Sequence, residues 1–293
     1  MKTLITHGSK FHPDEVFGTA AIRIVEGGDI NIIRTRDPKL FDQADYLLDV
    51  GGVYDPEKNR FDHHQEGGAG KRQSGIPYAT FGLVWLKFGE IIAGSKKNAE
   101  AIDRKMVSFV DSRDCGVSVA IPKRDDVSIY TIDEVIDSFN LNIDEEGKNV
   151  DDMFLKAVDL AEVLINREVL RQKTREKTEP TVREAFENRE HKNIVLFHCR
   201  CPYKEILREY KDVLYAVFGD SEGHWVVVAA RDFDSNDMYA VKKPFPKEWR
   251  GKRGKELEQV TGVEGSIFCH NNGFLSVAKT CDGALALAKI SLE

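Results

Sequence analysis

The chain has 293 residues, of which 41% are hydrophobic and 31% charged, with a formal net charge of −7. This length favours two domains over one. The acidic balance argues against bulk-charge coating of nucleic acid, though not against a local basic cleft. Five cysteines (115, 199, 201, 269 and 281) form no C-x-x-C pair, which speaks against a disulfide framework or zinc ribbon and for a reducing compartment. The opening "MKTLITHG" is strand-like and shows no targeting leader. No apolar run approaches the ~20 residues of a membrane span, so the expectation is a cytoplasmic protein with no membrane partner.

Residues 2–6 form a short apolar strand. "DEVFGTAAIRIVEGG" follows with helical spacing and ends at Gly27 and Gly28. "INIIRTR" and "YLLDVGG" are β-rich and bounded by turn residues. Two helical runs come next, 76–93 and 99–110. Strands alternating with helices predict an α/β fold built on a parallel sheet. Residues 151–191 read as a charged helical connector broken at Pro180. Beyond it, "NIVLFHC", a hairpin around "GDSEGH", a second hairpin around "NNG" and a closing helix in "DGALALAKISL" predict a smaller α+β domain. The expected division is 1–175 and 176–293.

Histidine is scarce, eight in all, yet His63 and His64 are adjacent and follow Asp62. Other polar residues stand at the ends of apolar elements: His7, His12 and Asp14 after the first strand, Asp49 after the third, and Asp111 and Asp114 at a helix end. Neighbouring parallel strands deliver their C-terminal tips to one rim, so these groups can converge. Each has a structural reading: Asp14 as a helix cap, Asp49 as turn chemistry, the histidines as solvated loop residues. Jointly, that reading needs a coincidence at each successive element end. Carboxylates mixed with imidazoles suit Mn²⁺, Co²⁺, Fe²⁺ or Mg²⁺, with Zn²⁺ allowed. The donors outnumber what one tetrahedral ion needs. Two ions about 3.5–4 Å apart, sharing a carboxylate, would use them.

"DHH" after an Asp-bearing strand, with an upstream His…His-x-Asp and a downstream helix-end Asp, resembles the DHH phosphoesterase superfamily. The blocks "FHPDE", "DVGG", "RFDHHQ", "SGIPYATFG", "PFPKEWRGKRG" and "FCHNNGF", in this order, resemble the Myg family, the melanocyte-proliferating-gene proteins, over almost the whole chain. The resemblance implies a DHH-type domain and a C-terminal substrate domain with a cleft between them. It also implies a Mn²⁺- or Mg²⁺-dependent 3′–5′ exonuclease on RNA. Carried over, His7, His12 and Asp14 match the first motif, Asp49 the second, and Asp62, His63 and His64 the third. The fourth falls on Asp111 or Asp114, with Asp111 preferred because it directly follows the apolar helix. The resemblance makes His63 a metal ligand and His64 the residue facing the substrate. Asp62 then orients a neighbouring group. Adjacent residues in an extended segment point in opposite directions, which separates the two histidines.

Seven basic residues lie between positions 242 and 255, among them Arg250 and Arg253, with Phe245 and Trp249 interleaved. They suit a phosphate-bearing partner, with aromatics to stack bases, although a solvated basic loop is the plain alternative. His270, and Lys71, Arg72 and Ser74 beyond the triplet, are further candidates for substrate contact. The leading expectation is a two-metal phosphodiesterase, Mn²⁺ first, acting on RNA or short oligonucleotides. The alternatives are a small-molecule phosphatase or pyrophosphatase and a catalytically silent RNA- or nucleotide-binding protein. Oligomeric state, including a homo-oligomer, is left open.

Overall fold

The computed structural model describes residues 1–293 apart from Lys123 and Glu146. The chain divides into two units, Met1–Lys173 and Thr174–Glu293. The first contains a five-stranded sheet built from β1 (Lys2–Thr6), β2 (Ile30–Arg34), β3 (Tyr46–Leu48), β4 (Tyr54–Asp55) and β5 (Arg60–Phe61). Its order is β2-β1-β3-β5-β4. The pairs β1–β2, β1–β3 and β3–β5 are parallel, and only β4 runs antiparallel, against β5. Three neighbouring parallel strands, β1, β3 and β5, therefore end on the same rim. They lead directly into His7, Asp49 and Asp62-His63-His64.

Helices α1 (Pro13–Val25) and α2 (Thr80–Ala93) cover one face of this sheet. Pro13 at the first helical position and Asp14 and Glu15 in the first turn favour the start of α1. Gly27 and Gly28, both at positive φ, end its run. The core between helices and sheet includes Leu4, Phe17, Leu48, Phe61, Phe81 and Val84, all fully buried. Each such side chain contributes about 1.5–3 kcal/mol. Together they outweigh the roughly 1–3 kcal/mol of a strained backbone position, which this rim contains. The opposite face is closed by Ile5, Leu47 and Val50 packed with Ile33, Leu40 and Phe41.

The expected helix 76–93 starts later, at Thr80. Residues 70–78 spend their backbone groups on a hairpin-like loop instead: Arg72 N donates to Ile76 O, and Tyr78 N to Gly70 O. Pro77 also disfavours helix at the residue before it. The expected helix 99–110 is three pieces. These are α3 (Lys96–Ile102), capped by the Ser95 side chain, a π-turn over Asp103–Val107, and α4 (Ser108–Asp114). α5 (Ile132–Asp137) follows. α6 (Val150–Glu187) is continuous through Pro180, so the expected break there is corrected. The helix forgoes one backbone bond at the proline and continues to Glu187.

The second unit holds β6 (Ile194–Phe197), β7 (Tyr215–Gly219), β8 (Trp225–Ala229), β9 (Ser266–Cys269) and β10 (Leu275–Ala278), with α7 (Gly254–Thr261) and α8 (Cys281–Ile290). The order is β6-β7-β8-β10-β9, with β6–β7 parallel and the remaining pairs antiparallel. Both expected hairpins are present. Phe245 and Trp249 are core residues here, 0% and 2% exposed, packed with Tyr215, Val217 and Leu287. The expectation that they are free to stack bases is therefore corrected. With these changes the α/β fold expected from the sequence is borne out, with a second unit of α+β character.

One close approach in the first unit is testable. A Cβ on Gly82 of α2 would fall 1.8 Å from Asp111 Oδ2 and 2.9 Å from an Arg72 guanidinium nitrogen. Gly82→Ala should cost at least about 2 kcal/mol, combining overpacking with disruption of a buried ion pair. Urea unfolding checks this, and a cost below 0.5 kcal/mol would contradict the packing described.

Candidate metal centre

His7 leaves the tip of β1 and is buried. Its Nδ1 lies 3.0 Å from Gly8 O. Its Nε2 lies 2.9 Å from Glu15 Oε1 and 3.3 Å from Asp49 Oδ2. Asp49 follows β3 with φ of 56°, in the left-handed region where non-glycine residues are strained. That turn, continued by Gly51 and Gly52 at positive φ, aims the carboxylate into the protein. Asp49 Oδ1 accepts a hydrogen bond from Thr80 Oγ1 at 3.2 Å. The same oxygen lies 3.5 Å from His63 Nε2 and 3.3 Å from His64 Nδ1. One Asp49 oxygen thus faces the His7 side and the other faces the His63–His64 side.

Asp14, in the first turn of α1, is fully buried and accepts from Thr80 N at 3.2 Å. His63 Nε2 is 3.7 Å from Asp14 Oδ2 and 3.1 Å from Asp114 Oδ2. Asp62 is buried with both oxygens engaged. Oδ2 accepts from Gly52 N at 2.6 Å, and Oδ1 meets the backbone N and Nδ1 of His64 at 3.0 and 2.9 Å. The His63 and His64 rings are neighbours, 4.3 Å apart, both against Asp49. The expected opposition of the two rings is corrected, because the triplet lies beyond β5 and is not extended strand. Their surroundings still differ: the His63 side chain is 11% exposed and that of His64 is 61%.

Among the described residues, four donor groups at this rim have their ligand atoms within 4.8 Å of one another: His7, His12, Glu15 and Asp49; Asp49, His63 and His64; His63, Asp114 and Cys115; and His12, Asp14 and Asp114. Asp49 belongs to two of them. The metal fit is supported by atoms left without a directed hydrogen bond: His7 Nε2, Asp14 Oδ1, Glu15 Oε2 and His63 Nε2 are all buried in this state. Buried polar atoms are rarely left so, and these belong to imidazoles and carboxylates, the groups that ligate such metals. Glu15 and Cys115 were not singled out in the sequence. Glu15 sits one residue past Asp14, where an acidic helix start accounts for it equally well.

Asp111 lies elsewhere. Its Oδ1 accepts from Gly82 N at 2.9 Å and its Oδ2 pairs with Arg72 at 2.8 Å. Burial pushes its carboxyl up to about 7, with Arg72 working in the other direction. Arg72 is buried, bound also to Asp103 and to Pro77 O, and its guanidinium lies over the Tyr78 ring. Arg72 therefore reads as a structural cation, while Lys71 and Ser74 are exposed.

A family model, MYG1_exonuc, described as an uncharacterised protein family (UPF0160), matches residues 3–292. The chain belongs to this family. It is 30% identical to a MYG1 protein of Dictyostelium discoideum, over 98% of this chain and 95% of that protein. It is 28% identical to the MYG1 exonuclease of Homo sapiens, over 98% and 85% of the two chains. It is 30% identical to a MYG1 protein of Caenorhabditis elegans, over 100% and 96%. The resemblance read from the sequence blocks is borne out at the level of the family.

In the second unit of this MYG1-family chain, the basic segment and the "FCHNNGF" hairpin pack together. Phe245 N donates to Gly273 O, Gly251 N to Cys269 O, and Cys269 N to Lys252 O. Arg250 Nε donates to Phe245 O, the Arg253 guanidinium lies over Phe268, and the His270 ring rests on Phe274. Arg250, Arg253 and His270 thus share one surface of that unit.

Electrostatics at the rim predict a pH response. Burial opposes charge on His7, but Asp49 and Glu15 prevail and push it up to about 10. Asp49 raises His64 to about 9, against burial and with help from Asp62. The ordinary histidine value is 6.5. Groups raised on folding stabilise fully below the unfolded value and lose that contribution as pH rises through the folded value. The metal-free protein should therefore lose stability between about pH 6.5 and 10. Denaturant midpoints across that range in EDTA check this. The loss should shrink in His7→Asn/His64→Asn, the remainder coming from His63, which, against burial, Asp114 and Asp49 also hold above its ordinary value.

Proposed function

We propose that this chain is a two-metal phosphodiesterase, a 3′–5′ exonuclease on RNA or short oligonucleotides with Mn²⁺ as its first metal. The observation that carries the reading is Asp49, whose two oxygens face separate donor groups, as a bridging carboxylate requires. The human relative is named MYG1 exonuclease, which supports a nucleic-acid substrate. His7, Asp14, Asp49, His63 and Asp114 would hold the ions, with His12 and Glu15 beside them. When bound, the ions supply an activated water and neutralise charge on the phosphoryl oxygens.

The chain's own residues do the rest. Protonated His64 donates from Nδ1 to Asp62, which fixes the ring and leaves its Nε2–H for a substrate on a side chain that is 61% exposed. From there His64 donates a hydrogen bond to a phosphoryl oxygen as negative charge builds. Arg250, Arg253 and His270 bind backbone phosphates on the second unit. Their charge acts in ground and transition states alike, so they set KM more than kcat.

The test is incubation with Mn²⁺ and 5′-labelled RNA, DNA and pyrophosphate. Stepwise shortening of RNA from its 3′ end is expected; consumption of pyrophosphate alone overturns the reading. Asp49→Asn should reduce bound Mn²⁺ from two ions to one or none and abolish cleavage. Asp114→Asn should also lose metal. Asp111→Asn should keep its metal but unfold more readily, because buried Arg72 loses one of its two carboxylate partners and keeps only Asp103. Metal content measured on the folded variants separates these outcomes.

A further inference from the structure

A hollow of about 230 Å³ opens at the metal rim beside His64, Asp62 and Asp49, with Arg36, Phe41, Val50, Gly51 and Gly52 also in its wall. It is smaller than the ~300–1,000 Å³ of a pocket for a whole drug-sized ligand, so it suits one residue of a longer molecule. Its composition is specific. Gly51 and Gly52, both at positive φ, contribute no side chains. The Phe41 ring lies across Gly51, 3.9 Å from where a Cβ would stand, and, half-buried against Leu47 and Val50, it also lines the hollow.

Arg36 is exposed, and among the described residues it makes no hydrogen bond, ion pair or ring contact. Its arginine neighbours are committed: Arg34 to Ser9 O and Asp151, Arg60 to Lys58 O and Ala44 O. The backbone around Arg36 is nonetheless pinned. Thr35 N donates to Thr6 O, Asp37 N to Thr35 Oγ1, and the Asp37 side chain caps Lys39 N. A free guanidinium on a fixed turn, next to a flat ring and the His64 imidazole, matches a nucleotide: a phosphate for the fork and a base for the ring. Pyrophosphate would leave the ring with nothing to stack.

We propose that this hollow holds the terminal nucleotide of the substrate, with Phe41 stacking on the base and Arg36 pairing with its phosphate. The proposal rests on the nuclease reading of the adjoining rim and names its substrate contacts. Its test is calorimetric binding of AMP and of ribose 5-phosphate to the full-length Mn²⁺-loaded protein. Wild type should bind AMP more tightly than ribose 5-phosphate by roughly 5- to 100-fold. Phe41→Ala should bring the two within about twofold, and Phe41→Tyr should restore the gap. Arg36→Ala should weaken both ligands by a common factor and keep the gap. An AMP preference that survives Phe41→Ala, an Arg36→Ala variant with unchanged affinities, or wild type that binds no AMP overturns the proposal. Binding is read without turnover. Protein that shows the expected pattern yet shortens no oligonucleotide therefore refutes the nuclease reading and leaves the pocket standing.

Discussion

The buried carboxylate of Asp49 is the group on which the rim depends. Three imidazoles, His7, His63 and His64, reach it within 3.3–3.5 Å. Burial opposes its charge, yet these partners hold its pKa well below the ordinary carboxylate range. The same site packs Asp14, Glu15 and Asp114 close by, and burial together with Asp49 and Asp114 pushes Asp14 well above its usual value. A cluster of this kind is repulsive unless positive charge enters it. In the metal-free protein protonated histidines supply that charge. Divalent ions would replace those protons, so metal affinity is linked to pH and binding releases protons.

The fold explains how so many like charges come together. The strand order sets β1, β3 and β5 side by side and parallel, so each delivers a polar tip to one edge. The apolar contacts beneath, from Phe17, Phe61 and Phe81, hold that edge in place. Behind it, the Arg72–Asp111 pair on Gly82 ties the loop after the triplet to α2 and α4. Thr80 joins the two levels, since its N donates to Asp14 while its Oγ1 donates to Asp49. Rigidity of this sort suits a site that must hold several donors in register.

Much of this was legible in the residues, for a physical reason. β1 and β3 are short apolar runs that stop at a charged or imidazole side chain, and such a stop in a parallel sheet marks the ligand edge. β4 and β5 were not legible. Each has two residues, too few for any periodicity, although β5 is what places the triplet beside Asp49. Asp111 and Asp114 are three residues apart on a helix and so face nearly the same way. Only the long-range partner, Arg72 for one and His63 for the other, tells them apart. Phe245 and Trp249 misled because their neighbours in sequence are basic, whereas their neighbours in space are the second unit's core. Pro180 shows a local preference overridden along a long packed helix.

The most direct test of a shared Asp49 is anomalous diffraction at the manganese edge from crystals of Mn²⁺-loaded protein. The account predicts two peaks about 3.5–4 Å apart, one on each side of the Asp49 carboxylate, with His7 beside one and His63 beside the other. A single peak, or two peaks of which neither touches Asp49, would contradict it.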